Sequence, residues 1–255
     1  MKRCVFITGA TSGFGEAMAI RYAENGDRLI INGRREERLR SLAGLLEKQY
    51  NANVLPLPFD VRDRDAVTTA INSLDEAWRN IDILINNAGL AVGLSKIQNG
   101  DYDDWDRMLD TNVKGLLNVT RNIAPLMIEN KKGHIINIGS IAGKEVYPMG
   151  NVYCASKHAV DAITKALRIE LVEYGIKVTQ IAPGAAETEF SIVRYKGDKE
   201  AANKVYDGYT PLSANDIAEI AWFITSLPPH VNINDIVVMP TAQASPMVMQ
   251  KDTVT

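Results

Sequence analysis

Tyr153 and Lys157 stand four residues apart in the run Tyr-Cys-Ala-Ser-Lys. On a helix that spacing puts both side chains on one face, a phenol beside an ammonium. A free phenol titrates near pH 10 and exchanges protons poorly at neutral pH. A neighbouring ammonium favours the phenolate and lowers that value by roughly 1–3 units. The pair would therefore serve to pass a proton to or from a substrate oxygen. Ser140 follows the apolar run Gly-His-Ile-Ile-Asn-Ile-Gly, where its hydroxyl would orient a carbonyl. Near the start of the chain, Thr8-Gly9-Ala10-Thr11-Ser12-Gly13-Phe14-Gly15 links a short apolar run to a helical one. Glycines there permit a tight turn and bring backbone N–H groups close to a phosphate, and a helix N-terminus adds partial positive charge. The spacing is G-x3-G-x-G. With no Lys-Ser or Lys-Thr following, a P-loop is excluded.

A dinucleotide site usually carries an acid at the end of the second strand, where it holds the adenosine ribose. Here that location reads Asn32-Gly33-Arg34-Arg35. Two guanidinium groups in place of a carboxylate favour a 2′-phosphate, and hence NADP(H) over NAD(H).

The elements that must position these groups alternate. Cys4–Thr8, Leu29–Ile31, Val54–Phe59, Ile81–Ile85, Gly133–Ile138, Lys177–Ile181 and Ile233–Met239 read as strands. Helical patterns fall between them: Glu16–Glu24, Glu36–Tyr50, Asp63–Ala77, Trp105–Glu129 with a Pro125 kink, Val152–Tyr174 and Ala214–Ser226. The order predicts an α/β protein, a single-domain doubly wound parallel sheet with helices on both faces. Ala91–Asp104 and Glu187–Tyr209 break the rhythm as polar, loop-like stretches where strands hand over to helices. Ligands bind at the carboxyl ends of such strands, so a substrate lid is expected at about 187–209.

Composition narrows the function classes. The chain has 255 residues, 46% hydrophobic and 23% charged, enough for one large core. A net charge of −3 makes no electrostatic case for nucleic acid or an anionic membrane. Cys4 and Cys154 are too few for a disulfide framework or a structural zinc site, and His134, His158 and His230 lack metal-ligand spacing. The first apolar run is too short for a signal peptide or a membrane span, which leads to the expectation of a soluble cytoplasmic protein. Neither Ser12 nor Ser140 sits in G-x-S-x-G, so a hydrolase elbow is absent.

Together with Asn112 in Thr-Asn-Val-Lys-Gly, Asn86-Asn87-Ala88-Gly89 and Pro183-Gly184, these motifs resemble the short-chain dehydrogenase/reductase family over the whole chain. The resemblance implies a Rossmann-type fold and roles for particular residues. Tyr153 would be the general acid in reduction and the base in oxidation. Lys157 would lower its pKa and hold the nicotinamide ribose, Ser140 would bind the carbonyl, and Asn112 would anchor a water in a proton relay. Gly9, Thr11, Ser12, Gly13, Phe14 and Gly15 would cradle the phosphates, with Arg34 and Arg35 on the 2′-phosphate. Asp60 and Val61 would meet the adenine, and Asn87, Ala88 and Gly89 the adenosine ribose. Pro183, Gly184 and Thr188 would position the nicotinamide. Members usually form homo-oligomers, dimers or tetramers, through their two long helices.

Stretches such as NGRREERL, GNVY, TEFSIVRYKGD and LPPHVNIN look like the branch of 3-hydroxy acid (L-allo-threonine) dehydrogenases and sulfoacetaldehyde reductases. That likeness implies a short carbonyl or hydroxyl substrate carrying a carboxylate or sulfonate. Such an anion calls for a cation in the pocket. Arg194 is the first choice and Lys196 the fallback, with Tyr147 and Phe190 as walls and Gln243 as a further donor. Two other readings stand beside it: reduction of a larger neutral carbonyl compound, and a non-catalytic NADP(H) sensor.

Overall fold

The computed structural model describes residues 2–252. Seven strands form one parallel sheet: β1 Cys4–Ile7, β2 Arg28–Gly33, β3 Val54–Pro58, β4 Ile83–Asn86, β5 Gly133–Ile138, β6 Ile176–Pro183 and β7 Asp235–Val238. Their order is β3-β2-β1-β4-β5-β6-β7, with every neighbouring pair parallel. The order reverses between β1 and β4, and the crevice at that switch point, beyond the carboxyl ends of the strands, is where ligands bind in such sheets.

Alternation along each strand divides the core between two faces. Val5 and Ile7 of β1 and Ile83 and Ile85 of β4 pack on one side, against α1 (Gly13–Glu24), α2 (Glu36–Tyr50) and α10 (Ala214–Ser226). Cys4, Phe6 and Leu84 pack on the other, against α3 (Arg64–Asn72), α6 (Leu116–Glu129) and Leu171 at the end of α7 (Asn151–Leu171). No described helix is long and apolar enough to cross a membrane.

Four local expectations are corrected. Asp63–Ala77 is two helices, α3 and the short α4 (Glu76–Arg79), because Asp75 starts afresh by capping Trp78 N–H. The expected helix Trp105–Glu129 begins earlier, as α5 (Tyr102–Leu109) capped by Asp101, and passes through a π turn at Asp110–Gly115 before α6. The interruption is thus at Asn112, while Pro125 is accommodated inside α6; single π turns inside helices commonly accompany functional sites. The long helix ending near Tyr174 closes in a 3-10 turn at Val172–Tyr174, stopped by Gly175 in the left-handed region. Finally, 187–209 is not a loop. It holds α8 (Glu189–Arg194) and α9 (Lys199–Lys204), whose first turns are capped by the Thr188 and Asp198 side chains.

Candidate active site

A cavity of about 610 Å³ opens at the switch point, reaching from the Gly9 turn to α7 and α8. It brings together nearly all the residues singled out in the sequence. Gly9, Thr11, Ser12, Gly13 and Phe14 line one end with Arg34, Arg35, Asp60 and Val61; Asn87, Ala88 and Gly89 line the middle. Ser140, Tyr147, Tyr153, Lys157, Pro183, Gly184, Thr188, Phe190, Arg194 and Gln243 line the other end. Gly15 and Asn112 stay behind the wall, and Lys196 is outside, paired with Asp104 at 2.7 Å and Asp101 at 3.4 Å. That pairing removes the fallback cation.

The turn after β1 is closed by the backbone. Gly9 has φ +66°, and a Cβ on it would come within 2.9 Å of Ala88 Cα. A Cβ on Gly15 would collide with the Gly9 carbonyl oxygen. Asn87 braces the turn, its amide donating to Thr8 O at 2.8 Å and Gly9 O at 3.1 Å. Arg35, at the N-cap of α2, reaches across, donating to Thr11 Oγ1 at 3.2 and 3.0 Å, Thr11 O at 3.2 Å and Ser12 Oγ at 3.0 Å. Arg34 is more exposed, with only Asp60 nearby at 3.8 Å. The Asp60 carboxylate is gripped by Arg62, whose Nη2 donates to Oδ2 at 2.7 Å. Burial acts to raise the Asp60 pKa, but hydrogen bonds from Arg62 outweigh it and hold the group below the usual range.

At the other end, α7 carries Tyr153 and Lys157 one turn apart, both buried. Lys157 Nζ donates to Ile138 O at 2.9 Å, and burial pulls its pKa down to about 8. Burial pushes the Tyr153 phenol up, opposed by hydrogen bonding with Ser140 and by the charge of Arg194. The expected pKa lowering by Lys157 is therefore not what this geometry provides. Ser140 caps the 3-10 turn Ile141–Gly143 by accepting from Ala142 N at 3.1 Å, and its hydroxyl donates weakly to Pro183 O at 3.4 Å.

Asn112 occupies the π turn with its side chain fully engaged. Its Oδ1 accepts from Leu90 N at 2.8 Å, and its Nδ2 donates to Leu90 O at 2.8 Å and Ser156 Oγ at 3.0 Å. The side chain therefore ties α7 and the segment after β4 to the π turn. Gly89 fits where a Cβ would lie 3.2 Å from Asn112 Oδ1 and 3.6 Å from Lys157 Nζ.

Arg194 ends α8 over two aromatic rings, its Cζ 5.3 Å from the Tyr147 centroid and 5.7 Å from that of Tyr153. One Nη donates to Tyr147 Oη at 2.8 Å, while Nε is buried without a hydrogen-bond partner. Phe190 meets Tyr153 edge to face at 5.7 Å. Gln243 has a different job from the one expected. Its Oε1 accepts from Ala185 N at 2.7 Å and its Nε2 donates to Ser245 O at 3.3 Å, so it straps the C-terminal segment to the end of β6.

The sequence reading missed Glu189, Tyr206, Tyr209 and Lys251, which also line the cavity. Tyr206 Oη donates to Ala186 O at 2.7 Å, and Lys251 lies 5.6 Å over the Tyr209 ring. The two tyrosines were available as two of the aromatic residues in the 187–209 stretch, and Glu189 as the acid next to Thr188. Lys251 gave no local signal.

Comparison with known proteins agrees with this architecture. The family model described as short chain dehydrogenase matches residues 3–199. The chain is 47% identical to the NADP-dependent 3-hydroxy acid dehydrogenase YdfG of Salmonella typhi over 241 residues, 94% of this chain and 96% of that one. It is 49% identical to sulfoacetaldehyde reductase 2 of Chromohalobacter salexigens over 245 residues, 96% of both. Among solved structures, the closed form of a serine dehydrogenase complexed with NADP+ is similar, with a TM-score of 0.91 and 43% identity over 98% of this chain and 99% of that one. By fold, motif order and these matches, the chain belongs to the short-chain dehydrogenase family.

Proposed function

We propose that the protein is an NADP(H)-dependent oxidoreductase that interconverts a short anionic aldehyde and its hydroxy acid. Sulfoacetaldehyde with isethionate, or malonic semialdehyde with the 3-hydroxy acid, is the substrate type. The observation that carries the anionic part is Arg194: a guanidinium on the cavity wall, stacked over Tyr153, with its Nε buried and unpartnered. A carboxylate or sulfonate would pair with the guanidinium, and the stacking sets it beside the phenol. The apolar wall that a large neutral carbonyl compound would want is instead interrupted by this charge.

The nucleotide end supports a dinucleotide with a 2′-phosphate. The glycine turn leaves the N-terminus of α1 facing the cavity, and its N-cap Ser12 makes no side-chain cap of its own. Arg34 and Arg35 line that end of the cavity and bring two guanidinium groups to it. Asp60 and Val61 would flank the adenine, Asn87–Gly89 the adenosine ribose, and Pro183, Gly184 and Thr188 the nicotinamide.

The nicotinamide, when bound, supplies or receives the hydride. The proton is the chain's own business. In reduction, Tyr153 gives its phenolic proton to the carbonyl oxygen, and in oxidation it takes the proton back. The Ser140 hydroxyl, whose own proton is spent on a long bond to Pro183 O, turns that proton to the substrate oxygen. Lys157, cationic below about pH 8, holds the nicotinamide ribose and restores the phenol's proton. Asn112 fixes the frame around both. Exposed apolar side chains on α5 to α7, among them Leu109, Leu117 and Ile169, support assembly into dimers or tetramers. A cytoplasmic location belongs to the same reading.

The test is NADPH consumption with sulfoacetaldehyde, malonic semialdehyde and a neutral aldehyde of equal length. A kcat/KM clearly higher for an acid supports the reading and names the anion. Equal turnover of the neutral compound overturns the anion pocket.

A further inference from the structure

Arg194 can receive an anion only while α8 holds it against Tyr147 and Tyr153. That helix has six residues, too few to be stable alone. Its C-terminal end is pinned, since Arg194 O accepts from Gly93 N at 3.0 Å. Its N-terminal end is tied to the nucleotide site through Glu189. Glu189 Oε2 accepts from Arg35 Nη1 at 3.1 Å, and Oε1 accepts from Arg38 Nη1 at 2.9 Å. Among the described residues these are the only hydrogen bonds between α8 and the start of α2.

The same Arg35 guanidinium is fixed on its other edge to Thr11 and Ser12 in the phosphate turn. One planar cation thus touches the nucleotide site and the first turn of the lid at once. Glu189 is ionised there: partial burial acts to raise its pKa, but the hydrogen bonds from Arg38 and Arg35 outweigh it and hold the carboxyl below its usual range. An isolated exposed ion pair contributes little, whereas a carboxylate shared by two guanidiniums, one of them already anchored, forms a network.

We infer that Glu189 is a positioning residue that latches α8 to the arginines of the nucleotide site, so that the cation selecting an anionic substrate is set from the cofactor's end of the cavity. The inference rests on the reading of Arg194 as the anion receptor. Arg35 faces the cavity, but Arg38 lies outside it and touches Glu189 alone among acidic groups. Arg38 therefore provides a way to open the latch without touching cofactor or substrate.

The experiment compares wild type, Glu189→Gln, Arg38→Gln and the double variant. KM and kcat are measured at saturating NADPH with sulfoacetaldehyde and with a neutral aldehyde of the same length. Isethionate binding in the presence of NADP+ is measured by calorimetry. Each single variant is expected to raise the sulfoacetaldehyde KM and weaken isethionate about three- to tenfold, with kcat and the neutral aldehyde changed by less than about twofold. The double variant is expected to be no worse than the more damaging single one, since both remove the same connection. Additive losses, equal losses for the neutral aldehyde, or no change overturn the latch. Wild type showing no preference for the anionic aldehyde would instead remove the anion pocket itself. A preference present in wild type and intact in Glu189→Gln removes only the latch.

Discussion

At the nucleotide end of the cavity the ligand-facing surface is largely main chain and small residues, braced by Asn87 and by Arg35 on Thr11 and Ser12. At the α7–α8 end it is side chains leaning on side chains: Tyr153 under Phe190 and Arg194, and Arg194 on Tyr147. The first end shows fixed backbone geometry with its polar groups paired. The second holds a phenol pushed up by burial, an ammonium pulled down by it, and an unpartnered guanidinium nitrogen. Perturbed titrations beside an unsatisfied donor are expected where a reaction is done, whereas paired backbone suits binding.

Substitutions at the two ends should therefore fail differently. Tyr153→Phe keeps the packing on Phe190 and removes the proton, so kcat should fall by about 10²–10⁴-fold while NADPH binding, followed by its fluorescence, persists. Loss of NADPH binding in that variant would mean that the two ends are not separable. Arg194→Ala should cost the anionic aldehyde about 2–5 kcal/mol in kcat/KM, and the neutral aldehyde far less. An equal loss for both would assign Arg194 to the shape of the lid.

At the nucleotide end the effect should appear chiefly in the cofactor, with a smaller rise in the anionic aldehyde's KM because Arg35 also holds Glu189. Replacing Arg34 and Arg35 together by Ala removes charged hydrogen bonds of about 1.5–3 kcal/mol, which should raise the NADPH KM roughly ten- to a hundredfold and leave the NADH KM nearly unchanged. Equal changes for both cofactors would detach these arginines from the 2′-phosphate. A smaller effect follows from Lys157, whose depressed pKa leaves it an ammonium below about pH 8 and an amine above. In reduction, kcat/KM should decline as pH rises through that value, by on the order of tenfold per unit, and a flat profile to pH 9.5 would show that its charge is not used.

The same contrast explains what could be read without a structure. A backbone site announces itself through residue types that only such a site requires, so Gly9 and Gly15 were legible, as was Arg34-Arg35 in the place of an acid. The strands along the chain and a parallel sheet between two layers of helices followed from short apolar runs separated by helical patterns, whereas the strand order did not. Tyr153, Lys157 and Ser140 were legible because they lie on one helix and one strand end. Helical α8 was obscured by its length, since six residues give no periodicity. The π turn at Asn112 leaves no compositional mark, because it changes the winding of a helix and not its apolar pattern. Lys251 enters the cavity only through tertiary folding of a distant segment, which no local rule reports.

Gln243 separates these cases most finely, because it lines the substrate end yet behaves like the braced residues of the nucleotide end. Its amide is engaged at both poles, with Ala185 N and Ser245 O, and a Cβ on Gly184 would strike its oxygen. Gln243→Ala would leave the Ala185 N–H unpaired beneath the C-terminal segment. A loss of about 1–3 kcal/mol in unfolding free energy is expected, read as a lowered Tm. The ratio of kcat/KM for anionic and neutral aldehydes should remain that of the wild type, because Arg194 and its two rings are untouched. A fall in that ratio with stability unchanged would return Gln243 to the anion pocket and make the substrate end a two-donor site.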